Sequence, residues 1–158
     1  MPDLPANFAA WFARKVWELH PHQADLLAYA TEPATLLIAP TGGGKTLAGF
    51  LPTLVELAAT PHKGMHTLYV SPLKALTADI RRNLGSPITD LGLPIRVEDR
   101  TGDTSYTKRQ RQRADPPDIL LTTPESLALL LSYPDAPRIF AGLQRVIVDE
   151  IHALAESK

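Results

Sequence analysis

The sequence predicts an α/β fold in which a parallel sheet is flanked by helices, and three observations carry that expectation. Short apolar runs alternate with helical patterns along the chain, as parallel strands joined by crossover helices require. Each run is followed at once by a polar, turn-prone cluster, so the clusters would collect on one rim of the sheet, where open α/β sheets bind ligands. A glycine-rich segment, Ala39-Pro-Thr-Gly-Gly-Gly-Lys-Thr46, stands between one such run and a helical pattern. That is the strand, loop, helix setting of a phosphate-binding loop.

In chain order, the elements begin with two amphipathic helices, near Asn7 to Val16 and Pro21 to Ala30. A strand is expected at Thr35 to Ala39. The helix after the loop places Leu47, Phe50, Leu51 and Leu54 on one face, with a kink expected at Pro52. Further strands are expected at Thr67 to Ser71, Ile95 to Asp99, Asp118 to Leu121 and Arg145 to Val148, all apolar enough to be buried on both faces. The clusters that follow the five runs are Pro40 to Thr46, Pro72 to Lys74, Arg100 to Asp103, Thr122 to Glu125 and Asp149 to His152. No internal repeat or low-complexity linker interrupts the pattern.

The residue types in two clusters point to a nucleoside triphosphate with magnesium. Glycines at 42, 43 and 44, after Thr41, remove side chains that would hold phosphate oxygens away from the backbone amides and the positive end of the next helix. Lys45 supplies a mobile ammonium for the β- and γ-phosphates, and the Thr46 hydroxyl suits a hard, oxygen-seeking Mg²⁺. Ala39 departs from the glycine that usually opens this pattern. Asp149 and Glu150 are adjacent carboxylates at the end of a strand-like run. Two such acids can divide the labour, one holding hydrated Mg²⁺ and the other polarising an attacking water.

Composition bounds the remainder. At 158 residues, 44% hydrophobic and 21% charged, the chain is about one soluble globular domain long. It has no cysteine, which excludes disulfides and thiolate metal sites. No apolar run approaches the roughly 20 residues that span a bilayer, so no membrane partner and a cytoplasmic location are expected. A formal net charge of -1 means that nucleic-acid contact must come from local patches. Arg81 and Arg82 and the run Lys108 to Arg113 are either such patches or solvated helix faces, and they lack interleaved aromatics for base stacking. His20 and His22, two apart, would point to different faces of a helix, and no structural metal is expected.

Ala39 to Thr46 with Asp149-Glu-Ile-His152 resembles motifs I and II of superfamily-two helicases of the DEXH class. Ser71-Pro-Leu-Lys-Ala-Leu76 and Thr122-Thr-Pro-Glu-Ser-Leu127 resemble that class's motif Ia and its second strand-contacting motif. Together with Thr101-Gly-Asp-Thr104 and Asp115-Pro-Pro-Asp118, the set is similar to the Lhr-type (large helicase-related) branch, and more narrowly to bacterial ligase-associated DEXH-box DNA helicases. The resemblance covers nearly the whole chain, and Ala39 is normal within that class.

The resemblance implies N-terminal helices over 1–30 that carry an adenine-reading Gln23, and a first RecA-like helicase ATP-binding domain over 31–158. ATP and Mg²⁺ are the implied cofactors, with Thr41, Gly42, Gly43, Gly44, Lys45 and Thr46 at the phosphates. Thr46 and Asp149 would hold the metal, and Glu150 would act as general base. Pro72, Lys74, Thr101, Gly102, Thr123 and Pro124 would grip the sugar-phosphate chain of a single strand, with single-stranded or duplex DNA as the implied partner, and His152 would couple the nucleotide site to the interdomain cleft. The sequence stops shortly after His152, so the implied partner is a second RecA-like domain of the same motor, and a sheet cut there is expected to be weakly folded alone. A helicase acting in DNA repair is the implied whole. An RNA helicase and a nucleotide-responsive nucleic-acid-binding fragment without turnover stay open beside it.

Overall fold

The computed structural model describes residues 4–40 and 44–155; Thr41, Gly42 and Gly43 of the expected phosphate loop lie outside the described residues. The chain forms two compact units, one of residues 1–60 with 86–94 and the other of residues 61–85 with 95–158.

In the first unit, α1 (Ala6–Arg14) buries Phe8, Trp11 and Phe12, and α2 (Pro21–Ala28) buries Gln23 and Ala24. Pro21 starts α2 because its fixed φ suits the first helical turn and its missing N–H is not needed there. The helix that follows the loop, α3 (Lys45–Ala59), buries Phe50, Leu51 and Leu54 on its apolar stripe and carries Pro52 inside, also buried. Asp90 closes this unit from the end of α4 (Lys74–Asp90): it accepts from the Trp11 indole at 3.0 Å and pairs with Lys15 at 2.8 Å. The expected strand at Thr35 to Ala39 does not form. These residues are irregular, with Leu36 71% and Ile38 86% exposed. An apolar run becomes a strand only where a neighbour accepts its ladder hydrogen bonds, and no described strand pairs with this one.

The second unit is built on a four-stranded, all-parallel sheet in the order β2-β3-β1-β4. Its strands are β1 (Thr67–Val70), β2 (Val97–Arg100), β3 (Ile119–Thr122) and β4 (Arg145–Val148). They lie within two residues of the expected positions. Central β1 and β3 are buried along their whole length, as expected, while β2 and β4 are not. Both are edge strands, and Val146 and Val148 of β4 are 52% and 42% exposed. One face of the sheet, with Leu68, Val70 and Leu120, packs with Met65 on Leu130 of α6 (Pro124–Leu131) and Ile139 of α7 (Ala136–Ile139). Residues 74–85 of α4 belong to this unit, as do two further helices, α5 (Tyr106–Ala114) and α8 (Ile151–Ala155).

Candidate functional site

Parallel pairing in register fixes the rim. Val70 stands opposite Thr122 and Val148, and Thr122 stands opposite Arg100, so the four strands end in one row. Ser71, Thr101, Thr123 and Asp149 therefore leave the sheet side by side. Four of the five turn-prone clusters read from the sequence share this rim, and the fifth belongs to the first unit.

In the first unit, Gly44 adopts a left-handed φ of 72° as the residue before α3. Glycine suits this position because that φ strains any other L-residue, and an added Cβ would stand 2.9 Å from Gln23 Nε2 and displace that amide. Gly44 also has no side chain to cap the first N–H groups of α3, which leaves them available to an anion. Lys45 and Thr46 open that helix, both half-buried. Gln23 is 3% exposed; its Oε1 accepts from the His20 N–H at 2.9 Å and its Nε2 donates to the Gly44 carbonyl at 3.4 Å. The sequence reading missed this bond to the phosphate loop. The carboxamide keeps one N–H and one lone pair beyond these bonds. His20 lies outside α2 as its N-cap, so its ring stacks on that of His22 at 5.4 Å instead of diverging as a helical spacing implies.

In the second unit, Asp149 continues the β1 ladder with its N–H on the Val70 carbonyl at 2.9 Å. Its carboxylate is held at both oxygens: Oδ1 accepts from the Glu150 N–H at 2.9 Å and Oδ2 from the Tyr69 hydroxyl at 2.8 Å. Each oxygen retains a lone pair, a donor set that suits a hydrated Mg²⁺. Glu150 turns the chain into α8 with φ 51°, a left-handed conformation rare for a residue with this side chain. His152, exposed, meets the Glu150 carboxylate at 3.1 Å. Burial, followed by the Asp149 bond, pushes the Tyr69 hydroxyl far above its ordinary range, so it stays a donor. Among the described residues no group of three or more histidines and acids is placed to hold a metal ion.

The six expected strand-gripping residues sort by exposure. Lys74 and Gly102 are exposed, Pro72 and Pro124 are half-buried, and Thr101 and Thr123 are buried. The two threonines shape backbone: Thr101 Oγ1 accepts from the Asp103 N–H at 3.3 Å, and Thr123 caps α6 by accepting from the Ser126 N–H. Lys74 pairs with Asp103 at 3.1 Å, both side chains well exposed. Beneath the loop, Arg109 donates to the Thr101 and Gly102 carbonyls, each at 2.9 Å. Arg100, fully buried, donates to the Arg109 carbonyl at 3.1 Å, and burial lowers its pKa.

Cations of the basic runs pair with acids. Arg81 and Lys108 both pair with Asp99, Arg82 with Asp79, Arg111 with Glu98 and Arg113 with Asp135. Burial opposes ionisation of Asp99, yet the hydrogen bonds from Arg81 and Lys108 hold it below the usual carboxylate range. Sequence alone shows the cations and not their partners, which come from β2, α4 and the turn before α7.

A family model for DEAD/DEAH box helicases matches residues 20–158. The chain belongs to the DEAD/DEAH box helicase family. It is 45% identical over 94% of its length to a Lhr helicase/probable uracil glycosylase of Mycolicibacterium smegmatis, covering 11% of that protein. With the ATP-dependent helicase Lhr-Core of Methanocaldococcus jannaschii it shares 41% identity over 94% of the chain and 20% of the relative. The solved structure of Mycobacterium smegmatis helicase Lhr bound to ssDNA and AMP-PNP superposes with a TM-score of 0.86 at 45% identity, over 96% of this chain and 21% of that one. The chain thus spans about a tenth to a fifth of the length of these relatives, and its fold is that of a RecA-like helicase domain. No helix among the described residues is long and apolar enough to cross a membrane.

Proposed function

We propose that this chain is the ATP-binding and nucleic-acid-binding part of an ATP-dependent DNA helicase, which couples hydrolysis to movement along a strand. The observation that carries the reading is the rim, where Asp149 and Glu150 emerge in register beside Ser71, Thr101 and Thr123. One rim then serves both chemistry and grip. The first RecA-like domain runs over 31–158, preceded by helices over 1–30, and works against a second such domain.

Thr41, Gly42, Gly43 and Gly44 cradle phosphates with their amides, and Lys45 binds the β- and γ-phosphates. Thr46 and Asp149 would hold hydrated Mg²⁺, which when bound neutralises phosphate charge. Glu150 takes a proton from the attacking water, with His152 coupling that carboxylate to the interdomain cleft. Gln23 has one donor and one acceptor left, the pair that reads adenine N7 and N6. Pro72, Lys74, Thr101, Gly102, Thr123 and Pro124 form the strand-gripping surface, with direct contact falling to Lys74 and the Gly102 backbone. Contacts to phosphate suit translocation because phosphates repeat regardless of sequence. A cytoplasmic location and a role in DNA repair complete the proposal; the latter rests on likeness to the Lhr branch alone.

ATP hydrolysis by the full-length protein, measured with and without single-stranded DNA and single-stranded RNA, tests it. Stimulation by DNA above RNA is expected. Stimulation by RNA alone would replace the substrate, and no hydrolysis under any condition would leave a binding fragment.

A further inference from the structure

The Asp149 carboxylate takes a hydrogen bond from inside the sheet: the Tyr69 hydroxyl donates to Asp149 Oδ2 at 2.8 Å. Tyr69 is 1% exposed, and its hydroxyl has a single proton, which is committed to Asp149.

Asp149 is the proposed metal carboxylate. The remaining Asp149 bond comes from its own neighbour, the Glu150 N–H, and cannot by itself fix the carboxylate against the sheet. Tyr69 does so from the centre of the sheet, on a strand buried throughout.

We propose that Tyr69 is a positioning residue, which orients Asp149 for Mg²⁺. This rests on the reading of Asp149 as a metal carboxylate.

The test uses the full-length protein and a non-hydrolysable ATP analogue, titrated with Mg²⁺ or with chelator. Tyr69→Phe removes one hydroxyl and keeps the ring. Loss of an outer partner of a metal carboxylate costs about tenfold or more in metal affinity. Analogue affinity in Mg²⁺ should thus fall about tenfold, and affinity in chelator should be unchanged. Wild-type Mg²⁺ dependence in Tyr69→Phe, while Asp149→Asn loses it, overturns the proposal. Unaltered Mg²⁺ dependence in Asp149→Asn as well would instead remove Asp149 from the metal site.

Discussion

The carboxamide of Gln23 donates to the carbonyl of Gly44 at 3.4 Å, and a Cβ built on Gly44 would stand 2.9 Å from that same amide nitrogen. The two residues therefore constrain each other at the start of α3. Gly44→Ala must adopt φ 72° at a cost of about 1–2 kcal/mol and displace the Gln23 amide. Nucleotide affinity should fall about 5- to 30-fold, the factor that such an energy implies. Calorimetric titration of the full-length protein checks this, and undiminished affinity would show that the loop reorganises freely.

Lys45→Ala should act differently, because it deletes a contact and leaves the backbone unstrained. A hydrogen bond to a charged group is worth about 1.5–3 kcal/mol, so ATP should bind about 10- to 100-fold more weakly with the fold intact. Equal affinities for variant and wild type would take Lys45 out of the site.

The carboxylates separate by step. Glu150→Gln keeps the shape and removes the base, so Mg-ATP affinity should persist while turnover drops about 10²- to 10⁴-fold. Asp149→Ala should lose magnesium-dependent affinity as well. Turnover at the wild-type rate in Glu150→Gln would show that another group takes the proton.

How far the sequence could carry these assignments depended on whether a feature is local. The strands β1 to β4 were legible within two residues because apolar runs ending in turn residues are local signals, and their order of use along the chain implied the shared rim. Thr35 to Ala39 carries the same local signal and forms no strand, since pairing partners are not written in the run itself. Tyr69 hid for a related reason: inside Thr67-Leu-Tyr-Val70 it reads as an aromatic core residue, and only the register of β1 with β4 brings its hydroxyl to Asp149. The cations of Lys108 to Arg113 were visible as charge, but Asp99, Glu98 and Asp135, which hold them, come from other elements.

Acid should loosen α1 before the sheet. Hydrogen bonds from Lys15 and then Trp11 hold the Asp90 carboxyl down at about 2, against an ordinary 3.8. The unfolded chain thus binds this proton first as pH falls, so the contribution of Asp90 is complete above about pH 4 and is lost towards pH 2. Hydrogen-exchange protection of the α1 amides should decline across that window in the wild type. It should be lower and nearly flat in Asp90→Asn, and a decline of equal size in the variant would assign the effect to other groups.

The strand-gripping loop makes it possible to tell a phosphate contact from a support. Lys74 is exposed, and its pair with Asp103 is of the exposed kind that is worth at most about 1 kcal/mol, so a phosphate can displace the carboxylate. Arg109 spends its guanidinium on the Thr101 and Gly102 carbonyls and holds the loop from beneath. Counterion release gives single strands a salt slope of about 0.7 per phosphate neutralised. Lys74→Ala should therefore weaken single-strand binding and lower the slope of log affinity against log salt by about 0.7. Arg109→Ala should weaken binding severalfold at every salt concentration with the slope unchanged, because the loop loses its shape and no phosphate loses its cation. Fluorescence anisotropy across a salt series with the full-length protein measures both. A reduced slope in Arg109→Ala would make Arg109 a direct phosphate contact, and an unchanged slope in Lys74→Ala would remove Lys74 from the strand.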